Sequence, residues 1–240
     1  MSGTRVRATL GAVACLAWVT PAFAQQPPPP AAPLEIYHVH VVKAAAGKLP
    51  ELIEVYKNAV APDPGDPQVD PIILRHREGG EWDIIVVTPR GKDYTLRSDA
   101  LPAPIQAFNE KVIPLTDWHA DTFTVGPTWD VVQKALVPAR GAQPVYTVTD
   151  YRALTGHRSQ LRQTLDRIVE QSAGRSVLLS HVEGAPWNFI AITRYDSWAD
   201  LGQQQTAPAG PQDPSLDLRR DMAVHHDTVA TYVGGGEARR

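Results

Sequence analysis

Residues 76–82 read HREGGEW and residues 181–187 read HVEGAPW, so the pattern H-x-E-G-x-x-W occurs twice in the chain. A second pattern, H-x-D-T, also occurs twice, as HADT at residues 119–122 and as HHDT at residues 225–228. The chain has only 8 His and 6 Trp among 240 residues, so chance does not readily explain their recurrence in the same order. The two copies, at a period of roughly 105 to 109 residues, indicate an internal duplication.

Outward from these motifs, both halves show the same succession of predicted elements. Runs rich in β-branched and aromatic residues predict strands, and apolar residues at spacings of three and four predict helices. In the first half the predicted strands are residues 36–42, 72–76, 82–88 and 117–125, with helices around Leu52 and Phe108. In the second half they are strand 145–152, hairpin 177–193 and strand 228–233, with helices around Leu161 and Leu218. Each half therefore has the order β-α-β-β-α-β, which is the ferredoxin-like unit.

One ferredoxin-like unit covers only one face of its sheet with helices, and the other apolar face has to be buried against something. Two units in tandem solve this problem by facing each other. We therefore predict an α+β fold of two tandem ferredoxin-like domains, residues 34–135 and 136–233, packed sheet to sheet as an intramolecular α/β barrel. Residues 234–240, which contain three consecutive Gly, are predicted to be a flexible tail.

This duplicated order over residues 34–233 resembles the dimeric α/β-barrel superfamily, which includes NIPSNAP-like, EthD-like, antibiotic-biosynthesis-monooxygenase-like and chlorite-dismutase-like proteins. The resemblance lies in the order of elements, and no catalytic motif of one family can be matched residue by residue. It implies a cavity between sheet and helices, or inside the barrel, for a small apolar or aromatic molecule or for haem. It also implies oxygenase-like or isomerase-like chemistry as an expectation, since a shared fold does not determine function.

Composition and charge exclude several classes of protein. The formal net charge of −3 argues against a nucleic-acid-binding surface, so no nucleic-acid partner is predicted. A single Cys excludes a disulfide framework and a cysteine-based zinc site. Phosphate-binding loops, G-x-S-x-G and H-E-x-x-H are absent from the sequence.

The beginning of the sequence resembles an export signal. Two Arg, a short apolar run and Ala22-Phe23-Ala24 predict a signal peptide at residues 1–24, followed by a proline-rich linker at 25–33. The predicted location is therefore periplasmic or secreted, and no transmembrane segment is expected because the apolar run is short. Cys15 leaves a lipid anchor open as an alternative to ordinary cleavage near Ala24.

The repeated H-x-D-T motifs supply the catalytic candidates His119, Asp121, His225 and Asp227. Residues two apart on a strand share a face, so each Asp can orient the imidazole beside it and raise its basicity. The alternative interpretation is structural, with the His and Asp side chains bonding nearby backbone groups.

The repeated H-x-E-G-x-x-W motifs supply the ligand-binding candidates His76, His181, Trp82 and Trp187. If the two halves face each other, His76 could approach His225, and His181 could approach His119. The alternative is that both Trp are core anchors.

His38 and His40 form a separate H-x-H pair on the first predicted strand, where the second half has Thr147 and Thr149. Both imidazoles point to one face, which suits metal binding, so these two are the metal-ligand candidates. Ordinary buried or edge-exposed histidines remain the alternative.

Three functions stay open at this point. The first is a small-molecule-binding barrel, either a cofactor-free or a haem-linked oxygenase-like or isomerase-like enzyme acting on an apolar or aromatic ligand. The second is a non-catalytic structural or stress-related module, and the third is a His-based metal-binding protein. The cofactor, the reaction and any further homo-oligomerisation are not determined by the sequence. Loops 63–67 and 202–214 are predicted surface connections that could cover a pocket.

Overall fold

A computed structural model describes residues 33–58, 70–91, 103–210 and 213–235. The predicted signal peptide, all of the linker except Pro33, loop 63–67 and most of the predicted tail lie outside these residues. None of the helices in the described part of the chain has the length and apolar character needed to span a bilayer.

The described residues form eight strands and six helices, which include the two β-α-β-β-α-β units that the duplication predicts. In the first half the elements are β1 Glu35–Ala44, α1 Leu49–Lys57, β2 Ile72–Glu78, β3 Ile84–Gly91, α2 Ala103–Val112 and β4 Thr116–Gly126. Helix α3, Trp129–Leu136, follows them. In the second half they are β5 Val145–Ala153, α4 Arg158–Gln171, β6 Ser176–Glu183, β7 Phe189–Tyr195, α5 Trp198–Thr206, α6 Leu218–Asp221 and β8 Met222–Gly234.

All eight strands belong to one closed antiparallel barrel, in the ring order β1-β3-β2-β8-β5-β7-β6-β4. Each half contributes four adjacent strands, β4-β1-β3-β2 and β8-β5-β7-β6. The seams are the β2–β8 and β4–β6 ladders, so each half pairs both of its free edges with the other half. Closure leaves no unpaired strand edge in the ring. The predicted α+β intramolecular barrel is confirmed.

The interior of the barrel is filled with apolar side chains that alternate along the strands. Tyr37 and Val39 of β1 face inward beside their duplicates Tyr146 and Val148 of β5, and all four are buried. Helix α3 packs its apolar face onto the same core. The two tyrosines are hydrogen-bonded to the chain on either side of this helix: the Tyr37 hydroxyl donates to the carbonyl of Pro127, and the Tyr146 hydroxyl donates to that of Leu136 at 2.6 Å.

The outer faces of the two half-barrels are covered by helices. Helices α1 and α2 pack on the first half through Leu52, Tyr56 and Val112. Helices α4 and α6 pack on the second half through Leu161 and Leu165, with Leu218 partly buried. These layers agree with one helical cover for each ferredoxin-like unit.

Two helices were not predicted from the sequence. Helix α3 connects the halves, and α5 occupies the start of the stretch 202–214 that was predicted to be a loop. Ser197 starts α5, because its side-chain oxygen accepts a hydrogen bond from the Asp200 N–H at 3.1 Å. The loop prediction is therefore wrong for residues 202–206. The last strand also begins at Met222, several residues before the predicted start.

The repeated motifs meet across the seams through their glycines. Gly79 has φ +107° and Gly184 has φ +111°, a conformation that L side chains rarely adopt. A Cβ at Gly79 would lie 2.3 Å from the Asp227 carbonyl oxygen, and one at Gly184 would lie 2.2 Å from that of Asp121. The H-x-E-G turn of each half therefore packs directly on the H-x-D-T strand of the other, and only Gly fits there.

Candidate functional site

The metal candidates and one pair of catalytic candidates lie together on the outer face of the first half. Strands β1 and β4 are neighbours, and their register places His40 opposite Asp121. Because Tyr37 and Val39 point into the barrel, the alternation along β1 turns His38 and His40 outward. We call His38, His40, His119 and Asp121 the first-half cluster.

Asp121 is at the centre of this cluster. Its Oδ1 lies 2.7 Å from Nε2 of His38 and 3.7 Å from Nε2 of His40, and its Oδ2 lies 3.3 Å from Nε2 of His119. Burial acts to raise the pKa of Asp121, but the hydrogen bond from His38 and the surrounding imidazoles outweigh it and lower the pKa to about 2. The carboxyl group is therefore an anion at neutral pH.

His40 is the most enclosed imidazole of the cluster, with a side chain only 14% exposed. Its Nδ1 lies 3.0 Å from the hydroxyl of Tyr56 on α1. Its Nε2 is buried and has no hydrogen-bond partner. Burial lowers the pKa of His40 to about 4, with Asp121 acting against this shift and His38 and His119 adding to it. His40 is therefore neutral at pH 7.

Aromatic rings enclose the cluster on the protein side and leave it open on the other. His38 stacks on Phe123 at 5.2 Å between ring centroids, and Tyr56 makes an edge contact with Phe108 at 5.3 Å. His119 is half-exposed, with its ring edge-on to that of His40 at 5.1 Å. The site is an apolar platform with one solvent-facing side, where His119 and Asp121 are accessible.

The second half keeps the H-x-D-T pair but not the rest of the cluster. Nε2 of His225 lies 3.2 Å from Oδ2 of Asp227, and the His225 ring stacks on Tyr151 at 6.1 Å. Thr149 stands at the position of His40 and its hydroxyl donates to Oδ1 of Asp227 at 2.7 Å. Leu165 stands at the position of Tyr56. The two halves thus share a backbone but differ in what their outer faces can do.

The ligand-binding candidates His76 and His181 have local roles in their hairpins. Nε2 of His76 accepts a hydrogen bond from the Gly80 N–H at 3.2 Å, and Nε2 of His181 accepts one from the Ala185 N–H at 3.1 Å. Each ring also contacts the Trp of its own motif, at 5.4 Å for His76 with Trp82 and at 5.6 Å for His181 with Trp187.

The structure does not bring the histidines of the two halves together in pairs. The ladder places Ala230 opposite His76, and Thr124 opposite His181. His225 and His119 each lie five residues further along their strands, which is about 17 Å at a rise of about 3.4 Å per residue. The expected approach of His76 to His225 and of His181 to His119 is therefore not seen, because the halves join along strand edges at a register that separates these residues.

Trp82 and Trp187 do share a cavity, but on the other side of the sheet from the first-half cluster. The cavity has a volume of about 150 Å³ and lies inside the barrel, where Trp118, Val41 and Asp150 also line it. Typical ligand pockets measure about 300–1,000 Å³, so this one accepts at most a very small molecule. Binding of a ligand by these two tryptophans stays a prediction.

Comparison with solved structures gives several matches of similar extent. An anthrone oxidase-like protein has 11% sequence identity and a TM-score of 0.56, with 85% of this chain and 92% of that chain covered. A monooxygenase-like protein from Fusobacterium nucleatum has 11% identity and a TM-score of 0.56, with 85% of this chain and 94% of that chain covered. A monooxygenase-like protein from Lactobacillus acidophilus has 11% identity and a TM-score of 0.54, with 84% of this chain and 94% of that chain covered. The chain has the dimeric α/β-barrel fold. No protein-family model and no curated protein matches the sequence.

The dimeric α/β-barrel resemblance also implied haem, and the described residues do not fit it. Neither the 150 Å³ cavity nor a more open groove of about 480 Å³ beside α1 is lined by a His that could serve as an axial ligand. In the first-half cluster the imidazoles of His38, His40 and His119 all surround the carboxylate of Asp121. His40, His119 and Asp121 instead place one donor atom each within 4.8 Å of one another, a spacing suited to a single metal ion.

Several residues of the site were not singled out from the sequence. Phe108 was named only as marking a helix, while Tyr56, Phe123 and Trp118 were not assigned a functional role. The difference between Tyr56 and its duplicate Leu165 was the available signal, because a polar group added to one copy of a buried helix face needs a partner.

Proposed function

We propose that this protein is an exported enzyme that acts on a small apolar or aromatic molecule by oxygenase-like chemistry at the first-half cluster. The observation that carries the proposal is the asymmetry between the duplicated halves. Three imidazoles, a carboxylate and a tyrosine converge on one outer face, whereas the other half has two Thr and a Leu at the corresponding positions. A purely structural duplication would not require this difference.

His38 is the acid–base residue of the proposal. In the tautomer that carries its proton on Nε2, His38 donates to Oδ1 of Asp121 at 2.7 Å. This leaves Nδ1 as the basic atom, and no hydrogen bond from another described residue occupies it. A carboxylate that holds one ring nitrogen fixes the tautomer and stabilises the imidazolium formed when the other nitrogen takes a proton.

The surroundings of that base support an aromatic substrate class. Phe123 and Phe108 are half-buried aromatic residues at the cluster, and their rings can contact a planar aromatic molecule. Neutral imidazole removes a proton only from an activated position, such as a CH₂ between a carbonyl-bearing ring and a second ring. The resulting anion is electron-rich and can reduce O₂. One CH₂ and one O₂ give one C=O and one H₂O, so this conversion needs no external reductant.

The fold neighbours support the substrate class, and the filled barrel interior supports the placement. The neighbours include an anthrone oxidase-like protein, and anthrone itself is a tricyclic ketone with an activated CH₂. Apart from the cavity of about 150 Å³, the interior is occupied by its own apolar side chains, so a substrate of that size fits only outside the barrel. The filled interior alone would also suit a non-catalytic module, and the experiment below decides between the two.

Oxygen consumption by the purified protein tests the proposal. The substrates are a tricyclic ketone with an activated CH₂ and, as a negative control, a fused aromatic hydrocarbon without one; products are identified by mass spectrometry. We expect turnover of the first alone and a decrease of about 100-fold or more in kcat for His38→Gln. His157→Ala is the matched control, because His157 forms a similar 2.7 Å pair with Asp221 far from the cluster. Equal rates for wild type and His38→Gln would refute the assigned role, and no turnover of any activated aromatic would refute the function.

A further inference from the structure

We infer that His40, His119 and Asp121 bind a divalent first-row transition-metal ion, and that Tyr56 and His38 hold two of these ligands in position. The inference rests on the proposed function only in placing the reaction at the same cluster. It adds a cofactor class that the fold neighbours do not assign, and a ligand set that differs from the H-x-H pair of the sequence analysis.

The spacing of the three donor atoms is that of ligands on one ion. Metal bonds from imidazole nitrogen and carboxylate oxygen are about 2.0–2.2 Å long, so two ligand atoms on the same ion lie about 3–3.5 Å apart. Asp121 Oδ2 lies 3.3 Å from Nε2 of His119, and one donor atom from each of His40, His119 and Asp121 lies within 4.8 Å of the other two. Side-chain movements of about an ångström would place all three around an ion.

The buried nitrogen of His40 is a second, independent observation. Its Nε2 is buried and has no hydrogen-bond partner, which is unfavourable for a polar atom. When its Nδ1 donates to the hydroxyl of Tyr56, 3.0 Å away, the lone pair on Nε2 is available to an ion in the cluster. Metal-binding histidines commonly bond their other ring nitrogen in this way, and a metal ion would occupy the vacant lone pair.

His38 holds the carboxylate of Asp121 in position, as Tyr56 holds the imidazole of His40. It bonds Oδ1 of Asp121 at 2.7 Å and so leaves Oδ2 free for the ion. This places a hydrogen-bonded partner behind two of the three ligands, as in established metal centres. His119 is the third ligand and lies on the exposed side, where water or substrate can reach the remaining coordination positions.

The chemistry of the donor set narrows the class of metal. Two imidazoles and one carboxylate with open positions are the ligand set of non-haem Fe(II) oxygenases, and the same atoms bind Zn²⁺, Co²⁺ and Mn²⁺. The second half lacks this set, because Thr149 replaces His40 and its hydroxyl already bonds Asp227. The chain is therefore expected to bind one ion and not two.

Metal binding is tested directly on the purified chain, after treatment with a chelator and dialysis against Zn²⁺ or Co²⁺. We expect one ion per chain by elemental analysis and, with Co²⁺, visible absorption bands of a nitrogen- and oxygen-ligated ion. His40→Ala, His119→Ala and Asp121→Asn should weaken binding by about 100-fold or more. Tyr56→Phe and His38→Gln should weaken it by about 10- to 100-fold, because they remove only the partners of the ligands.

His225→Ala is the matched control, since it removes the equivalent imidazole of the other half and should leave stoichiometry and affinity unchanged. Far-UV circular dichroism of each metal-free variant separates loss of the site from loss of the fold, and Tyr56→Phe keeps the test valid if the alanine variants unfold. A stoichiometry far below one, or equal loss in His40→Ala and His225→Ala, would overturn the inference.

The outcomes also separate this inference from the proposed function. Turnover that persists in excess chelator, without bound metal, would overturn the metal site and leave His38 as the base of a cofactor-free reaction. Stoichiometric metal without turnover of any activated aromatic would keep the metal site and overturn the oxygenase proposal.

Discussion

At the scale of single residues, the most consequential side chain is His40, because it is an imidazole held away from water. Its pKa in the folded protein is about 4, lowered chiefly by burial, against 6.5 for a solvated imidazole. Between these values the unfolded chain binds a proton that the folded chain does not. Folding stability contributed by neutral His40 is therefore fully present above pH 6.5 and is lost as the pH falls from 6.5 towards 4.

This linkage gives a measurable prediction. Urea unfolding of the metal-free protein should show a decrease in the free energy of unfolding between pH 7 and pH 4.5, and His40→Phe should flatten that decrease while keeping the ring that meets Tyr56. Parallel curves for wild type and His40→Phe would show that His40 is not the group that titrates.

The cluster shows which parts of a site can be predicted from single residues. The H-x-H and H-x-D-T motifs were both identified, and their residue types indicated metal binding and acid–base chemistry. Their convergence was not predicted, because it depends on the β1–β4 register that sets His40 opposite Asp121. A shift of one residue would turn either pair to the other face, and the sequence alone does not determine this register.

At the scale of elements, helix α3 connects the two halves and packs on the core that they share. It follows β4 and precedes β5, and the duplicated tyrosines Tyr37 and Tyr146 hold its two ends from inside the barrel. Both tyrosines are fully buried. The helix itself escaped prediction because it belongs to neither repeat, so the duplication gave no second copy to compare.

Removal of these hydroxyls tests the role of α3. Tyr37→Phe and Tyr146→Phe should each lower the free energy of unfolding by about 1–2 kcal/mol, since each removes the donor to a carbonyl that is part-buried at Pro127 and buried at Leu136. Tyr195→Phe, at a half-buried position near the end of β7, is expected to change it by less than about 0.5 kcal/mol. Chemical denaturation at pH 7 measures all three, and equal values would mean that the tyrosine bonds do not stabilise the helix.

The strands were easier to predict than the helices for a physical reason. Each strand is a run of β-branched and aromatic residues bounded by turn residues, and each has a counterpart in the other half. Helix α5 is short and rich in Gln, with Leu201 as its buried residue, so its apolar spacing carries little information. The available sequence signal for this helix was Ser197 as an N-cap residue, and the Pro-rich stretch that follows favoured a loop.

At the scale of the whole molecule, closure of the ring is what makes the halves interdependent. Strands β2 and β4 of the first half are paired only on one side by their own half, and their other sides pair with β8 and β6. A half on its own would expose both of these edges to solvent. Exposed edges of this kind promote pairing with a further chain.

A truncated chain makes this dependence visible. The first half alone, residues 34–135, is expected to form dimers or larger species, since a second copy supplies strands for both open edges. Light scattering after size-exclusion chromatography gives the mass, and circular dichroism reports the fold. A stable, folded monomer of this half would contradict the view that the seams are required.

Strands β1 and β4 separate two different environments. Val41 and Thr122 point inward and line the cavity that Trp82 and Trp187 share, while their chain neighbours His40 and Asp121 point outward and belong to the first-half cluster. Only one layer of backbone separates the two sides, so a change in the volume of an inward side chain alters the separation of the outward nitrogens and oxygens. Substitutions at Val41 or Thr122 should therefore change the affinity for a bound metal ion without replacing any of its ligands.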